Sequence, residues 1–168
     1  MSLLEKLQAS ITAVAETLEI TADEAAATAA RLPSLLRVKP ETIRGTLAAL
    51  LRIPELEPVA LALCRQNPNT LFRDPLKIVT KWESLQYLTA QQPEWHLEWR
   101  RWPQQLGVVN NLFSYSLRSH QRLSYLSDSC NCGKGLAGSR RANSWLQMPA
   151  SRFEKLCPGY QQWLERPE

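Results

Sequence analysis

Glycine is scarce in this 168-residue chain, with 6 residues, and the strand-forming β-branched aliphatics are scarcer than their unbranched counterparts: 5 Ile and 6 Val stand against 27 Leu and 17 Ala. That imbalance excludes a β-rich fold and predicts an all-α chain. No apolar run approaches the roughly 18 residues that a bilayer crossing needs. With 44% apolar and 21% charged residues, the chain reads as soluble and globular rather than disordered. Four cysteines, Cys64, Cys130, Cys132 and Cys157, and an N-terminus unlike a secretory signal point to a reducing compartment. Cys130 and Cys132 offer two thiolates at C-x-C spacing, and with only Cys64, Cys157, His96 and His120 to complete a set of four, no metal site is expected. Histidine numbers two, and no Ser-His-Asp or Cys-His arrangement is visible. Gly133-Lys134 lacks the upstream glycine spacing and the following hydroxyl of a phosphate loop. No catalytic constellation and no cofactor are expected.

Charge is unevenly placed. The net +4 splits into −2 over residues 1–60, where 6 basic side chains meet 8 acidic ones, and +6 over 61–168, where 14 meet 8. A basic C-terminal part suits a phosphate-bearing partner, and it equally suits an ordinary solvated helix surface.

The chain repeats itself. Pro33-Ser-Leu-Leu36, Pro68-Asn-Thr-Leu71 and Pro103-Gln-Gln-Leu106 share the pattern P-x-x-L at two equal spacings of 35 residues. Further columns agree at the same shift: Ile43, Ile78 and Phe113; Leu47, Trp82 and Leu117; Leu50 and Leu85; Ile53, Leu88 and Leu123. Their spacings of three and four mark one face of a helix. Each unit therefore reads as a short helix, a 3₁₀ turn over P-x-x-L with its final Leu turned inward, and a longer amphipathic helix. The short helices are predicted at Ala22–Arg31, Pro58–Gln66 and Gln92–Arg101, and the long ones at Pro40–Leu51, Pro75–Leu88 and about Asn110–Leu126. Thr21 with Glu24 forms a capping box, and Pro40 and Pro75 sit in first turns, where the missing N–H costs nothing.

The repeat region covers residues 21–126, and the ends are partial copies. Residues 1–20 supply a partial-repeat helix with Leu3, Leu4, Leu7, Ile11, Val14 and Leu18 at helical spacing. Where a fourth proline is due, position 138 is Gly and 141 is Arg; residues 127–144 read as a Gly/Ser-rich basic loop. Residues 145–168 read as a C-terminal cap built on a helix over Ala150–Leu156. The expected architecture is an all-α helical-repeat solenoid of about three 35-residue helix–turn–helix units with partial end units.

The P-x-x-L-x-x-x-P pattern, seen from Pro33 through Pro40 and from Pro68 through Pro75, resembles the repeat of the mTERF family, the mitochondrial transcription termination factors. The resemblance spans about Thr21–Leu126. It implies a short or divergent member, a curved superhelix with a basic concave side, and non-enzymatic binding of double-stranded DNA or RNA. It further implies a place in organellar transcription termination, transcription regulation or RNA processing, in a mitochondrion or chloroplast beside other gene-expression proteins, although no transit peptide is evident. The chain is expected to act as a monomer without a membrane. The alternative is a protein-binding α-solenoid adaptor that has lost the nucleic-acid groove.

Phosphate contact requires Lys or Arg at recurring repeat positions. Arg31 and Arg101 share one column, Arg65 and Arg100 the adjacent one, and Arg122 shares a third with Arg52. Arg73, Lys77, Arg118 and His120 could line the same groove, and Lys134, Arg140 and Arg141 lie in the Gly-rich loop. Arg31, Arg65, Arg100 and Arg101 also fall in last helical turns, where a cation offsets the helix dipole without any ligand. Trp95, Trp99 and Trp102, spaced four and three apart beside Arg100 and Arg101, have the pattern of a base-stacking stripe and, more simply, of a packed face.

Overall fold

The computed structural model describes residues 1–128 and 136–167. Among these the chain is helical without a strand, as the composition predicts. It divides into two compact units, Met1–Thr80 with Pro103–Asn110, and Lys81–Trp102 with Asn111–Glu168.

The first unit opens with α1 (Leu3–Leu18) and α2 (Ala22–Arg31), each started by a capping box. At the second, Glu24 N–H donates to the Thr21 hydroxyl (3.2 Å) and Thr21 N–H donates back to the Glu24 carboxylate (2.8 Å). Those bonds hold the Glu24 carboxyl below its ordinary pKa. Small residues on α2, Ala25 and Ala29, are buried and let it lie close on α1. α3 (Pro40–Leu51) also packs on α1, then α4 (Ala60–Gln66) follows a 3₁₀ turn at Glu57–Val59. Gly45 on α3 marks a close approach: a Cβ there would stand 3.1 Å from the Pro75 ring. α5 (Pro75–Thr89) begins in this unit. Its core is aliphatic, with Val14, Leu18, Leu35, Ile43, Leu50, Leu56 and Leu63 all at 2% exposure or less.

The second unit holds the rest of α5, then α6 (Pro93–Arg101) and, beyond α7 (Leu106–Ser114), α8 (Leu117–Ser127), α9 (Ala142–Gln147), α10 (Ala150–Leu156) and α11 (Tyr160–Leu164). Its core is aromatic. Trp82 lies 5.8 Å from Trp99 and 6.2 Å from Phe113, ring centre to ring centre. Tyr125 meets Tyr160 at 5.3 Å and Trp163 at 5.5 Å, and Phe153 meets Tyr160 at 4.9 Å, all edge to face as ring quadrupoles favour.

Local geometry departs from the predicted repeat in five ways. Leu32, Asn67 and Cys157, each followed by proline, share nearly the same backbone angles, φ −128, −129 and −129° with ψ 73, 77 and 72°. At each, the carbonyl accepts from the N–H three residues on, at 2.9, 2.9 and 3.1 Å. That bond folds the second residue after proline inward, so Leu35, Thr70 and Tyr160 are buried at every junction. Of the residues predicted to point inward, Leu71 does so, whereas Leu36 and Leu106 are half-buried. Pro103 lacks the junction altogether. Trp102, 1% exposed in the aromatic core, keeps helical angles (φ −56°, ψ −40°) against the usual pre-proline bias, and α6 runs directly into a 3₁₀ turn.

A junction of the same geometry stands at Cys157-Pro158, 20 residues beyond position 138, where the sequence pattern expects a proline and finds glycine. The third long helix is broken. In place of one helix over Asn110–Leu126, α7 ends at Ser114 and Ser116 caps α8 by accepting from Ser119 N–H (3.2 Å), which leaves Leu117 46% exposed and out of its predicted column. The columns Ile43/Ile78/Phe113, Leu50/Leu85 and Ile53/Leu88/Leu123 are buried throughout. Finally, Ala150–Leu156 has the predicted ends, but it is the middle of three short helices, α9 starting at Ala142 inside the predicted loop.

Candidate nucleic-acid interface

Four of the arginines nominated from sequence hold the protein's own backbone or rings. Arg122 is the clearest correction. It is 8% exposed, and its Nη1 donates to the carbonyls of Trp145 (3.1 Å), Leu146 (3.4 Å) and Met148 (2.6 Å), with the guanidinium 5.0 Å above the Phe153 ring. Those carbonyls are the unsatisfied end of α9, a helix too short to satisfy them itself. Burial lowers the Arg122 pKa, and the neighbouring Tyr160 and Glu154 work in the opposite direction. Arg65 has a similar task at the end of α1. Its Nε donates to Leu18 O (2.7 Å), its Nη2 to Glu19 O (3.2 Å), and the Glu19 carboxylate lies 3.7 Å away. Glu19 needs that support, because it is the one non-glycine among the described residues with positive φ (54°), a left-handed conformation that costs on the order of 1 kcal/mol.

Arg73 is half-buried, and its Nη2 donates to Asn110 O at 3.2 Å. Desolvation lowers its pKa. Arg140 lies over the Trp145 ring at 5.5 Å while its carbonyl accepts from Trp95 Nε1. The remaining candidates are exposed: Arg31 and Lys77 in the first unit, and Arg100, Arg101, Arg118 and Arg141 in the second. None of these six forms an ion pair among the described residues. Lys134, and with it Cys130 and Cys132, lies outside the described residues. Trp95, Trp99 and Trp102 are buried to 8% exposure or less, so the stripe is core and has no face for a base.

Two polar features depart from the sequence reading: His120, nominated there for the groove, and a pocket with no nomination. His120 is buried, with Nδ1 3.1 Å from the Ser84 hydroxyl and Nε2 without a partner. Burial, and secondarily the Lys81 ammonium, pushes its pKa down to about 4. No third group among the described residues holds the far ring nitrogen, the position from which a nucleophile's base is usually oriented. The second feature is a pocket at the start of α8, lined by Ser116, Arg118, Ser119, Arg122, Ala150, Glu154, Tyr160 and Gln161. Its only signal in the sequence is Ser116 and Arg118 bracketing a helix start, with Arg122 one turn on.

Against protein-family models, curated protein sequences and solved structures, the chain shows no match.

Proposed function

We propose that this chain is a non-enzymatic nucleic-acid-binding protein that grips the phosphate backbone through its second unit. The observation that carries the reading is charge segregation. The first unit balances 9 basic against 9 acidic side chains, while the second carries 11 against 7 and exposes Arg100, Arg101, Arg118 and Arg141 without carboxylate partners among the described residues. Unpaired surface guanidiniums are the groups that neutralise phosphates and so release the counterions condensed on a nucleic acid. The helical-repeat organisation and the organellar role belong to the same proposal, and their support is the mTERF-like proline pattern together with the recurring junction geometry at Leu32, Asn67 and Cys157.

Fluorescence anisotropy against duplex DNA, single-stranded DNA and RNA at two salt concentrations tests it. The expected result is affinity that falls with salt, with a log–log slope of about −0.9 per duplex phosphate contacted, and a shallower slope for Arg100→Glu/Arg101→Glu. Binding that ignores salt, or no binding to any of the three, overturns it. One observation favours the adaptor alternative: Leu3 and Leu4 at the start of α1 are 74% and 76% exposed, beside a groove between α1 and α3. On that reading, Leu3→Ser/Leu4→Ser abolishes partner capture and the arginine variants do not.

A further inference from the structure

The pocket at the start of α8 has a volume of about 270 Å³ and lies wholly within the second unit. Arg118 and Arg122 are four residues apart on α8, so both side chains rise from the same face. A guanidinium has five donors. Those of Arg122 that reach protein oxygens are on Nη1, and Nε and Nη2 find no acceptor among the described residues although the residue is 92% buried (8% exposed). No carboxylate forms an ion pair with either arginine among the described residues. The nearest candidate, Glu154, instead accepts a 2.5 Å hydrogen bond from Gln161. The Tyr160 hydroxyl donates to Arg118 O (3.2 Å) and closes the floor, and it senses both guanidiniums. The Ser116 and Ser119 hydroxyls, 3.2 Å apart, complete the wall.

Two guanidiniums against one occupied carboxylate leave the pocket with an unbalanced positive charge, lined by hydroxyl donors. Planar forks of this kind match tetrahedral oxyanions, and charge-assisted bonds to them are the strong ones. We propose that this pocket binds a single phosphate monoester group, with Arg118 and Arg122 as its charge partners and Ser119 as a hydroxyl donor. A terminal group fits better than a continuing backbone, because a monoester carries close to two negative charges, against one for a diester, to set against the two guanidiniums and the Glu154 carboxylate that line the pocket. The proposal shares Arg118 with the nucleic-acid reading but not Arg100, Arg101 or Arg141, so a strand lying on those three and a phosphate held in this pocket succeed or fail separately.

Inorganic phosphate, titrated into the full chain against chloride at matched ionic strength, tests it by thermal unfolding and amide chemical shifts. The expected result is a saturable rise in Tm with phosphate and shifts centred on Ser116–Arg122. Arg118→Ala weakens the response roughly tenfold, as loss of a charge-assisted bond should, and Ser119→Asp abolishes it; both positions are outside the buried core, so the unliganded Tm stays near that of the parent. A second arm compares a 5′-phosphorylated oligonucleotide with its 5′-hydroxyl twin. Preference for the phosphorylated end identifies a strand terminus as the source, and response to inorganic phosphate without that preference identifies a small phosphate ester. No response to phosphate and no end preference, or equal responses from the parent and both variants, overturns the proposal.

Discussion

In the first unit a single aromatic residue, Phe72, accompanies an aliphatic core, while the other 12 of the 13 aromatics stand in the second. The first unit has the denser set of short-range devices, two capping boxes, prolines in first turns and 3₁₀ turns that follow proline, beside the long-range bonds of Arg65 and Arg73. The second is organised by contacts between residues far apart in sequence, such as Arg122 with the end of α9 and the Glu98 carboxylate accepting from Ala142 N–H (2.6 Å) and Asn143 N–H (3.1 Å). Capping devices specify a helix before anything packs on it, whereas α9, α10 and α11, at six, seven and five residues, are too short to persist without their neighbours. Large rings and a buried cation supply what helix length does not.

Breaking that arrangement at Arg122 has the largest expected effect. Arg122→Ala leaves three carbonyls at the end of α9 without their donor and uncovers Phe153, at a cost of roughly 4 kcal/mol in urea unfolding. A variant that unfolds at the parent midpoint would return Arg122 to the surface contacts. Next comes acidity. The folded chain binds a proton at His120 only below about 4, while an unfolded histidine binds it below about 6.5, so between these values protonation favours unfolding. The stability this group contributes is complete above about pH 6.5 and is lost as the pH falls toward 4, on the order of 3 kcal/mol in all. Urea midpoints measured at pH 7.5 and 5 should separate for the parent and converge for His120→Asn. The smallest effect belongs to the first unit, where Arg65→Ala removes two carbonyl bonds at the end of α1 and should cost about 1–2 kcal/mol. Glu19→Gly in the same background relieves the left-handed strain and should recover part of that loss by the same measurement.

Helix ends were legible wherever a local signal wrote them. Ala22–Arg31, Pro40–Leu51 and Ala150–Leu156 have their predicted bounds because a capping threonine, a first-turn proline or a following X-Pro lies within a few residues. The break at Ser114–Ser116 was not legible, since apolar spacing continued through it while a capping serine interrupted the backbone. At the candidate interface the types of residue were readable but their employment was not. Arg65 and Arg122 occupy repeat columns like those of Arg100 and Arg52, yet their acceptors lie 47 and 26 residues away in sequence at Leu18 and Met148, and nothing local announces a partner at that distance. The proline junction taught the converse lesson, as its bond from the third residue places Leu35, Thr70 and Tyr160 inside and makes the second residue after proline the structural one.

All six tryptophans lie in the second unit, four of them at 2% exposure or less. Light emitted on excitation at the red edge of indole absorption therefore comes from that unit alone, and the first is spectroscopically silent. Far-ultraviolet circular dichroism, in contrast, sums the helices of both. The chain thus carries its own internal reporter of cooperativity: coincident fluorescence and dichroism transitions identify one folding event, and separated transitions assign the order in which the aliphatic and aromatic halves let go.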